Sequence, residues 1–361
     1  MESNRYNRQI ILPEIETNGQ EKLQNSKVLI IGVGGLGSAV LPYLVAAGIG
    51  EIGIMDDDSI DVSNLQRQVI YKTNSVGKSK VLEAAAMALA LNPSIKINAI
   101  PEKLEAKNAI SLFEHYDIIV DATDNLSTKY LINDACCATN KPFVYGSIYR
   151  FEGQVSVFNY ENGATYRCLF PEEVNDSSNC NDAGVLGILV GIIGMFQANE
   201  VLKMVLGIGE LLSGKLLVYN MLNNEQQKFE FSKKHAIAID KLFFENKYIL
   251  EENTTIEIGA SLALEQINIP NIIFLDVRNF DEYPKITIKN SLQIPLDNLE
   301  LTLHQIDANA ILFVFCQSGI RSKKAVEILR NNNFATAKSI IGGAKALDKI
   351  LHKGTVLFSN I

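Results

Sequence analysis

Between Lys27 and Ala47 the chain passes from a short β-branched stretch, Lys27 to Ile31, through Gly32-Val33-Gly34-Gly35-Leu36-Gly37 and into an apolar helical pattern. Glycines at this spacing permit a tight strand-to-helix turn, let the backbone approach a phosphate, and aim the free amides of a helix N-terminus at its charge. Such a unit belongs to a parallel sheet with helices on its faces and a ligand at the carboxyl ends of the strands. Glu51 to Met55, Ile95 to Ile100 and Asp117 to Val120 read as further strands, with helices at Gly35 to Ala47, Ser79 to Leu91, Ala106 to His115 and Leu126 to Ala138. After Phe143 the rhythm changes. Gln154 to Asn159 alternates polar with apolar, and Lys215 to Tyr219 and Gln227 to Phe231 read as later strands, which predicts an antiparallel extension of the sheet.

At 361 residues the chain is more than twice the ~150 of a usual domain. A stretch without period, 231 to 252, reads as a linker. A second α/β pattern follows it: IIFLDV, SLQIPL, ILFVFC, a helical segment from Ser322 to Leu329, and AKSII ahead of Gly342-Gly343. The expectation is an α/β chain of two domains: 1–245, with a mostly parallel sheet and its antiparallel extension, and 246–361, with the linker and a smaller α/β domain. The polar stretch Arg167 to Ala183, which holds Cys168 and Cys180, reads as a mobile loop.

Charges of 33 basic and 41 acidic residues leave a net −8, which supplies no field for nucleic acid or an anionic membrane surface. With 47% hydrophobic and 20% charged residues the chain can bury a core and lacks the composition of disorder. Two apolar runs resemble membrane segments by hydropathy alone. Gly32, Gly34, Gly35 and Gly37 crowd the first, Val28 to Gly50, and the second, Ala183 to Phe196, is too short before Gln197 and Glu200 intervene. Both read as core. Five cysteines, an odd and sparse set, and a start, MESNRYNRQ, without a charged-then-apolar leader point to a reducing cytoplasm.

Asp56 ends the strand after the glycine turn, 19 residues beyond Gly37, where a carboxylate can accept bonds from ribose hydroxyls. To this point the pattern fits a nicotinamide dehydrogenase, or a glycine turn used only for packing. Ser63-Asn64-Leu65-Gln66-Arg67-Gln68 and Lys80 shift the reading, because Arg67 and Lys80 offer the cations that a triphosphate needs and a dinucleotide needs less. Asp121 to Asn125 (DATDN) ends another strand at the carboxyl edge of the sheet, where a carboxylate can hold Mg2+ against phosphates; either aspartate, Asp121 or Asp124, also reads as a helix N-cap.

Arg5 to Gln9 (RYNRQ), the GVGGLG turn, SNLQRQ, Gly77 to Lys80, ATDN and Phe151 to Gln154 (FEGQ), in that order between residues 5 and 231, resemble the HesA/MoeB/ThiF family, the ubiquitin-activating-type adenylyltransferases of sulfur-carrier proteins. The resemblance implies a Rossmann-like sheet and the adenylation, with ATP and Mg2+, of the C-terminal Gly-Gly carboxylate of a small ubiquitin-like carrier. Carried onto this sequence, it implies an ATP site made of Gly32, Gly34, Gly35, Gly37, Asp56, Ser63, Asn64, Arg67, Gln68, Lys80, Asp124 and Asn125. Asp124 would be the Mg2+ carboxylate, Arg67 and Lys80 catalytic cations, and Arg8 a further one that reaches the other subunit's site in a homodimer. Cys180, in NCNDAGVLG, resembles the family's loop cysteine that attacks the activated carboxyl or resolves a later disulfide; a small hydrophobe is the alternative. In relatives that bind structural zinc, Cys168 would be the second cysteine of a CxxC. Here Thr165 stands at the first position and no second CxxC occurs near 220 to 245, so no zinc is expected: one thiolate cannot hold the tetrahedral ion. Cys136 and Cys137 lie on an apolar helical stretch and read as core.

Cys316-Gln317-Ser318-Gly319-Ile320-Arg321-Ser322 follows a strand and precedes a helix, so backbone amides and a helix dipole converge on the thiol and favour a thiolate or a persulfide anion. Four residues separate Cys316 from Arg321, one fewer than in the loop of cysteine phosphatases, which suits a bound sulfur better than a phosphate. With Asp276-Val277-Arg278 and Gly342-Gly343 the segment resembles a rhodanese domain over residues 254 to 353, although Ile286-Thr287-Ile288 departs from the Gly-His-Ile step of many rhodaneses. Cys316 and Arg321 are expected to be catalytic and Asp276 and Arg278 to support the loop; a purely structural rhodanese module is the alternative. Following the fused members of the family, the combined expectation is an acyl-adenylate made in the first domain, attacked by a Cys316 persulfide and cleaved by Cys180 or an external thiol. A cysteine desulfurase would supply the sulfur, and the carrier would be that of molybdopterin synthesis or that of thiamine synthesis. A dehydrogenase and a non-catalytic scaffold for a ubiquitin-like partner stand as readings of other classes.

Overall fold

The computed structural model describes residues 5–171, 184–234, 239–250, 256–307, 310–334 and 336–355. The first sheet contains Lys27–Ile31 (β1), Glu51–Met55 (β2), Lys96–Ile100 (β3), Ile118–Asp121 (β4), Phe143–Tyr149 (β5), Glu152–Phe158 (β6), Lys215–Asn220 (β7) and Glu225–Glu230 (β8). Its eight strands are ordered β3-β2-β1-β4-β5-β6-β7-β8, parallel from β3 to β5 and antiparallel from β5 to β8. The mostly parallel sheet with an antiparallel extension is the fold class expected from the sequence. Gly35–Ala47 (α1), Lys80–Leu91 (α2), Ala106–Glu114 (α3), Leu126–Thr139 (α4) and Gly187–Leu206 (α5) are its main helices. α1 packs with α2 and α5, and α3 with α4. Val28 to Ile31 and Ile118 to Asp121 are accordingly buried without interruption, as parallel strands under helical layers must be. The chain order reverses between β1 and β4, which opens a crevice at the carboxyl ends of those strands.

The strand β5 is one that the sequence pattern did not separate, because Gly146 interrupts its apolar run. That glycine is a contact: a Cβ there would stand 2.5 Å from the side-chain amide carbon of Gln197 on α5. By length and composition α5 could cross a membrane, being longer than the apolar run from Ala183 to Phe196. It instead packs on α1, β5 and β6, with Gln197 donating to Asp121 O at 2.8 Å and Glu200 accepting from the Leu212 N–H at 2.9 Å, both inside the fold.

Two loop expectations change. Arg167 is anchored in the helical turn Tyr166–Leu169, with Nε and Nη2 each 2.7 Å from the buried Asp134 carboxylate, so the segment from Arg167 to Pro171 is not a free loop. Residues 172–183, among them Cys180, lie outside the described residues. The stretch 231–252, expected to be a linker, is partly built. Asp240 caps the helix Lys241–Phe244 through the Phe243 N–H at 2.8 Å, and buried Phe244 belongs to the element that packs on α4.

The chain divides into two units, Met1–Asn246 and Lys247–Ile361. In the second, Glu257–Ile258 (β9), Ile272–Asp276 (β10), Ser291–Gln293 (β11), Ile311–Phe315 (β12) and Lys338–Ile340 (β13) form a parallel sheet ordered β11-β10-β12-β13-β9. Ile320–Asn331 (α6) and Gly343–Thr355 (α7) are its longer helices. The smaller α/β unit is thus also of the class expected.

Candidate functional site

A cleft of about 740 Å3 opens over the reversal point of the first sheet. Its floor is the glycine turn. Gly32 has a φ of +87°, and a Cβ on Gly37 would stand 2.1 Å from Gly32 O, so the start of α1 rests directly on the end of β1 as only glycine allows. Asp56, at the end of β2, accepts the Val33 N–H and the Asp58 N–H, each at 2.9 Å, and so braces the turn as well as facing the cleft. Burial pushes its carboxyl above the usual range against the pull of those bonds. Each oxygen keeps a second lone pair for a hydroxyl.

Asn64, Arg67, Gln68, Lys80, Asp124 and Asn125 also line this cleft, together with Gly32, Gly34 and Gly35. Ser63 and Gly37 do not. Asp61 and Asn64 cap one short turn reciprocally, and Arg67 Nη1 donates to Ser63 O at 3.1 Å, so Ser63 helps to present Arg67. Gln68 is buried, and its Oε1 has no partner among the described residues. Lys80 is buried with Nζ 2.7 Å from the exposed Asp58 carboxylate, a partner that its spacing did not announce. Asn125 spends its side-chain oxygen on capping α4 through the Thr128 N–H at 3.2 Å, the role considered for the neighbouring aspartates. Among the described residues only Asp56, Asp57 and Asp58 bring three carboxylates within 4.8 Å of one another; Asp124 is exposed and separate. Arg8 is exposed on the helix Asn7–Ile10 and does not line its own chain's cleft.

Sequence reasoning missed three cations. Lys129, buried on α4, donates to Asp121 Oδ2 at 3.0 Å, Thr123 O at 2.8 Å and Gly146 O at 2.9 Å, tying the DATDN turn to β5. The only signal was a lysine one turn after Asn125. Lys103 and Arg150 line the cleft and had no motif to mark them. Among the cysteines, Cys136 is buried, and burial pushes its thiol well above the ordinary value. Cys168 is also buried. Its Sγ takes the Thr165 and Lys234 N–H groups, each at 3.4 Å, so the residue at the place of a first cysteine is a hydrogen-bond donor to the second.

In the second unit Cys316 directly follows β12 and is buried under its own loop. Its sulfur accepts the Gly319 N–H at 3.1 Å, and Ser322 Oγ lies 3.6 Å away. Burial would raise this thiol; the hydroxyl of Ser322 and the amides of Ser322, Ser318 and Gly319 outweigh it and bring the value below the ordinary one. Ser322 is held in turn by Ser339 Oγ on β13, 2.7 Å away, a residue without a sequence signal. A Cβ on Gly343 would stand 2.1 Å from Cys316 O, which explains the paired glycines: α7 starts against the cysteine loop. Arg278 bridges buried Asp276 to Gln317, the supporting role expected of it. Arg321 forks onto Glu282, with both N–O distances 2.6 Å, so its charge is already matched by a carboxylate that the sequence did not single out.

A nucleotide-type cleft at a strand-order switch and an amide-cradled, acidified cysteine in a second α/β unit define a two-headed group-transfer enzyme. Residues 6–237 match the ThiF family and residues 260–349 the rhodanese-like domain, and the chain belongs to the ThiF family with a rhodanese-like domain after it. It is 38% identical to a probable molybdopterin-synthase adenylyltransferase of Porphyra purpurea, over 97% of this chain and 94% of that one. To the adenylyltransferase and sulfurtransferase MOCS3-1 of Zea mays it is 36% identical (95% and 80% covered), and to the probable adenylyltransferase/sulfurtransferase MoeZ of Mycobacterium tuberculosis 36% (98% and 95%). The crystal structure of E. coli MccB with AMPCPP and MccA shares the fold, with a TM-score of 0.59 at 22% identity over 66% of this chain and 74% of that one. The chain is an adenylyltransferase fused to a sulfurtransferase.

Proposed function

We propose that this enzyme adenylates the C-terminal glycine of a ubiquitin-like sulfur carrier of the molybdopterin-synthase small-subunit type and then converts that carboxyl to a thiocarboxylate. One observation carries the reading: the cleft floored by the glycine turn keeps a buried acceptor, Gln68 Oε1, without a partner among the described residues. That atom fits a ribose hydroxyl or an adenine amine, and the guanidinium of Arg67, with no carboxylate partner among the described residues, fits a phosphate. The name of the Porphyra purpurea relative favours the molybdopterin carrier over that of thiamine synthesis.

In the first step a carboxylate oxygen of the carrier attacks the α-phosphorus of ATP and the bond from that phosphorus to the departing pyrophosphate oxygen breaks. Arg67 and Lys80 offset the charge that develops, Asp56 and Gln68 orient the nucleoside, and Arg8 adds a cation across a homodimer. Asp124 offers one hard oxygen, which together with phosphate oxygens and water suits Mg2+. Bound there, the ion would offset the charge of the leaving pyrophosphate. In the second step the outer sulfur of a Cys316 persulfide, charged by a cysteine desulfurase, attacks the acyl carbon and displaces AMP. A thiol, from Cys180 or from outside, then attacks the Cys316 sulfur, expels the carrier thiocarboxylate and leaves a disulfide that a further thiol reduces.

Pyrophosphate exchange with each carrier, followed by the carrier's mass after a sulfur donor is added, tests the scheme. The expected result is exchange that depends on the molybdopterin carrier and the mass gain of one oxygen replaced by sulfur. Exchange with neither carrier removes the reading.

A further inference from the structure

Arg150 and Phe151 form the two-residue connection between β5 and β6, flanked by the paired residues Tyr149 and Glu152. Arg150 holds a φ of +53°, a left-handed backbone that glycine adopts at less cost, so the turn by itself does not ask for arginine. Its guanidinium lies 5.3 Å from the centre of the Tyr149 ring and makes no ion pair or hydrogen bond among the described residues. Phe151 O accepts the Met221 N–H at 3.0 Å, which sets the turn between β7 and β8, with Leu222, beside it. Tyr149, Phe151 and Leu222 are all exposed.

Strand order places this turn relative to the nucleotide. Asp56 ends β2, the glycine turn follows β1, and β4 and β5 come next. Adjacent strands are about 4.8 Å apart, so the end of β5 stands about 10 Å past the glycine turn on the side away from Asp56. A nucleotide with its ribose at Asp56 and its phosphates over the glycines leaves Arg150, which lines the same cleft, on the acyl side.

We infer that Arg150 binds the terminal carboxylate of the acyl substrate, and that Tyr149, Phe151 and Leu222 are the apolar track for the extended peptide that bears it. The inference rests on the adenylation reading above. The cleft walls already hold the carboxylates of Asp56, Asp57, Asp58, Glu102 and Asp124, so a further one needs a cation without an acidic partner among the described residues, and Arg150 is one. The guanidinium steadies one carboxylate oxygen while the other forms its bond to the α-phosphorus. As the bond to pyrophosphate breaks, negative charge leaves with that group, and Arg150 remains beside an acyl carbonyl that has lost its own charge and is joined in a mixed anhydride to the AMP phosphate.

The test is a cycle on the full chain, using Arg150→Gly, which suits the turn's backbone, and Arg150→Lys. The probe is the small subunit of molybdopterin synthase, made with its terminal carboxylate and with a terminal carboxamide, and binding is read by calorimetry. The carboxylate form is expected to bind Arg150→Gly at least about tenfold more weakly than wild type, with Arg150→Lys between. The carboxamide form should bind all three enzymes alike within about twofold, and so should a non-hydrolysable ATP analogue. Equal losses for both carrier forms, or a loss of analogue binding, overturn the inference. Failure of wild type to bind the carboxylate form removes the adenylation reading itself and this inference with it.

Discussion

Arg278 forks back onto Asp276, two residues before it, with Nη2 2.7 Å from Oδ2 and Nε 2.9 Å from Oδ1, and both side chains are sealed from water. Its Nη1 reaches Pro284 O at 2.9 Å and Gln317 Oε1 at 3.2 Å, so a buried charge pair fixes the residue next to Cys316. Arg321 makes the same kind of fork with Glu282, but there 35% and 25% of the two side chains are exposed. Chemistry alike and burial unlike, the two pairs should differ in worth.

Arg278→Met strands the Asp276 carboxylate in the core with no countercharge, keeping only the backbone N–H of residue 278, and is expected to cost about 3–5 kcal/mol. Glu282→Gln breaks the exposed fork and should cost about 1 kcal/mol or less. Amide exchange in β12 reads both: its protection should fall in the first variant and persist in the second. Equal loss in the two would contradict the assignment.

Cys316 should react with iodoacetamide along a pH profile whose midpoint lies below that of an ordinary cysteine, because the loop amides and Ser322 favour the thiolate over the cost of burial. Ser322→Ala removes one of those donors and should move the midpoint up. An unmoved profile would show that the hydroxyl does nothing for the anion.

Glu51, at the start of β2, is drawn down to about 2: burial alone would raise it, but His115 Nε2 at 2.8 Å, Lys96 Nζ at 3.1 Å and Asn98 Nδ2 at 2.7 Å overcome that. A carboxyl whose folded value is depressed contributes stability above its unfolded value, near 4.5, and loses it as pH falls through about 2. Wild type should therefore lose stability between those values, and Glu51→Gln should be less stable at neutral pH but flatter in acid. Parallel acid-unfolding curves for the two proteins would refute this.

The nucleotide cleft gives a further contrast. Arg67→Ala should lower carrier-dependent pyrophosphate exchange by about 100-fold or more, since it removes a cation aimed at developing charge. Gln68→Leu removes an uncharged amide, both its acceptor and its donor, and should raise the KM for ATP about tenfold with little change in kcat. A fall in kcat for Gln68→Leu as large as that for Arg67→Ala would undo the separation of roles.

The sequence by itself determined what neighbouring residues decide. The glycine turn is legible because its backbone angles and the close contact of Gly37 with Gly32 lie within six residues. The cysteine loop is legible because its amides and its thiol sit in one strand-to-helix junction, and the strands β1, β2 and β4 because they are buried almost throughout and leave short apolar runs. Asp56, Arg67 and Gln68 followed from their places relative to that turn.

Only the tertiary structure decided which distant groups meet. Lys129 ties Asp121 and Thr123 to Gly146, Arg321 finds Glu282 across 39 residues, and Thr165 stands with Lys234 around Cys168. Arg150 faces the cleft because β5 lies two places from β1 in the sheet, a fact of strand order rather than spacing. Local propensity and periodicity act through bonds a few residues apart, whereas charge pairing and cleft lining depend on how strands and helices stack, so the second set is written in the chain only through the folded whole.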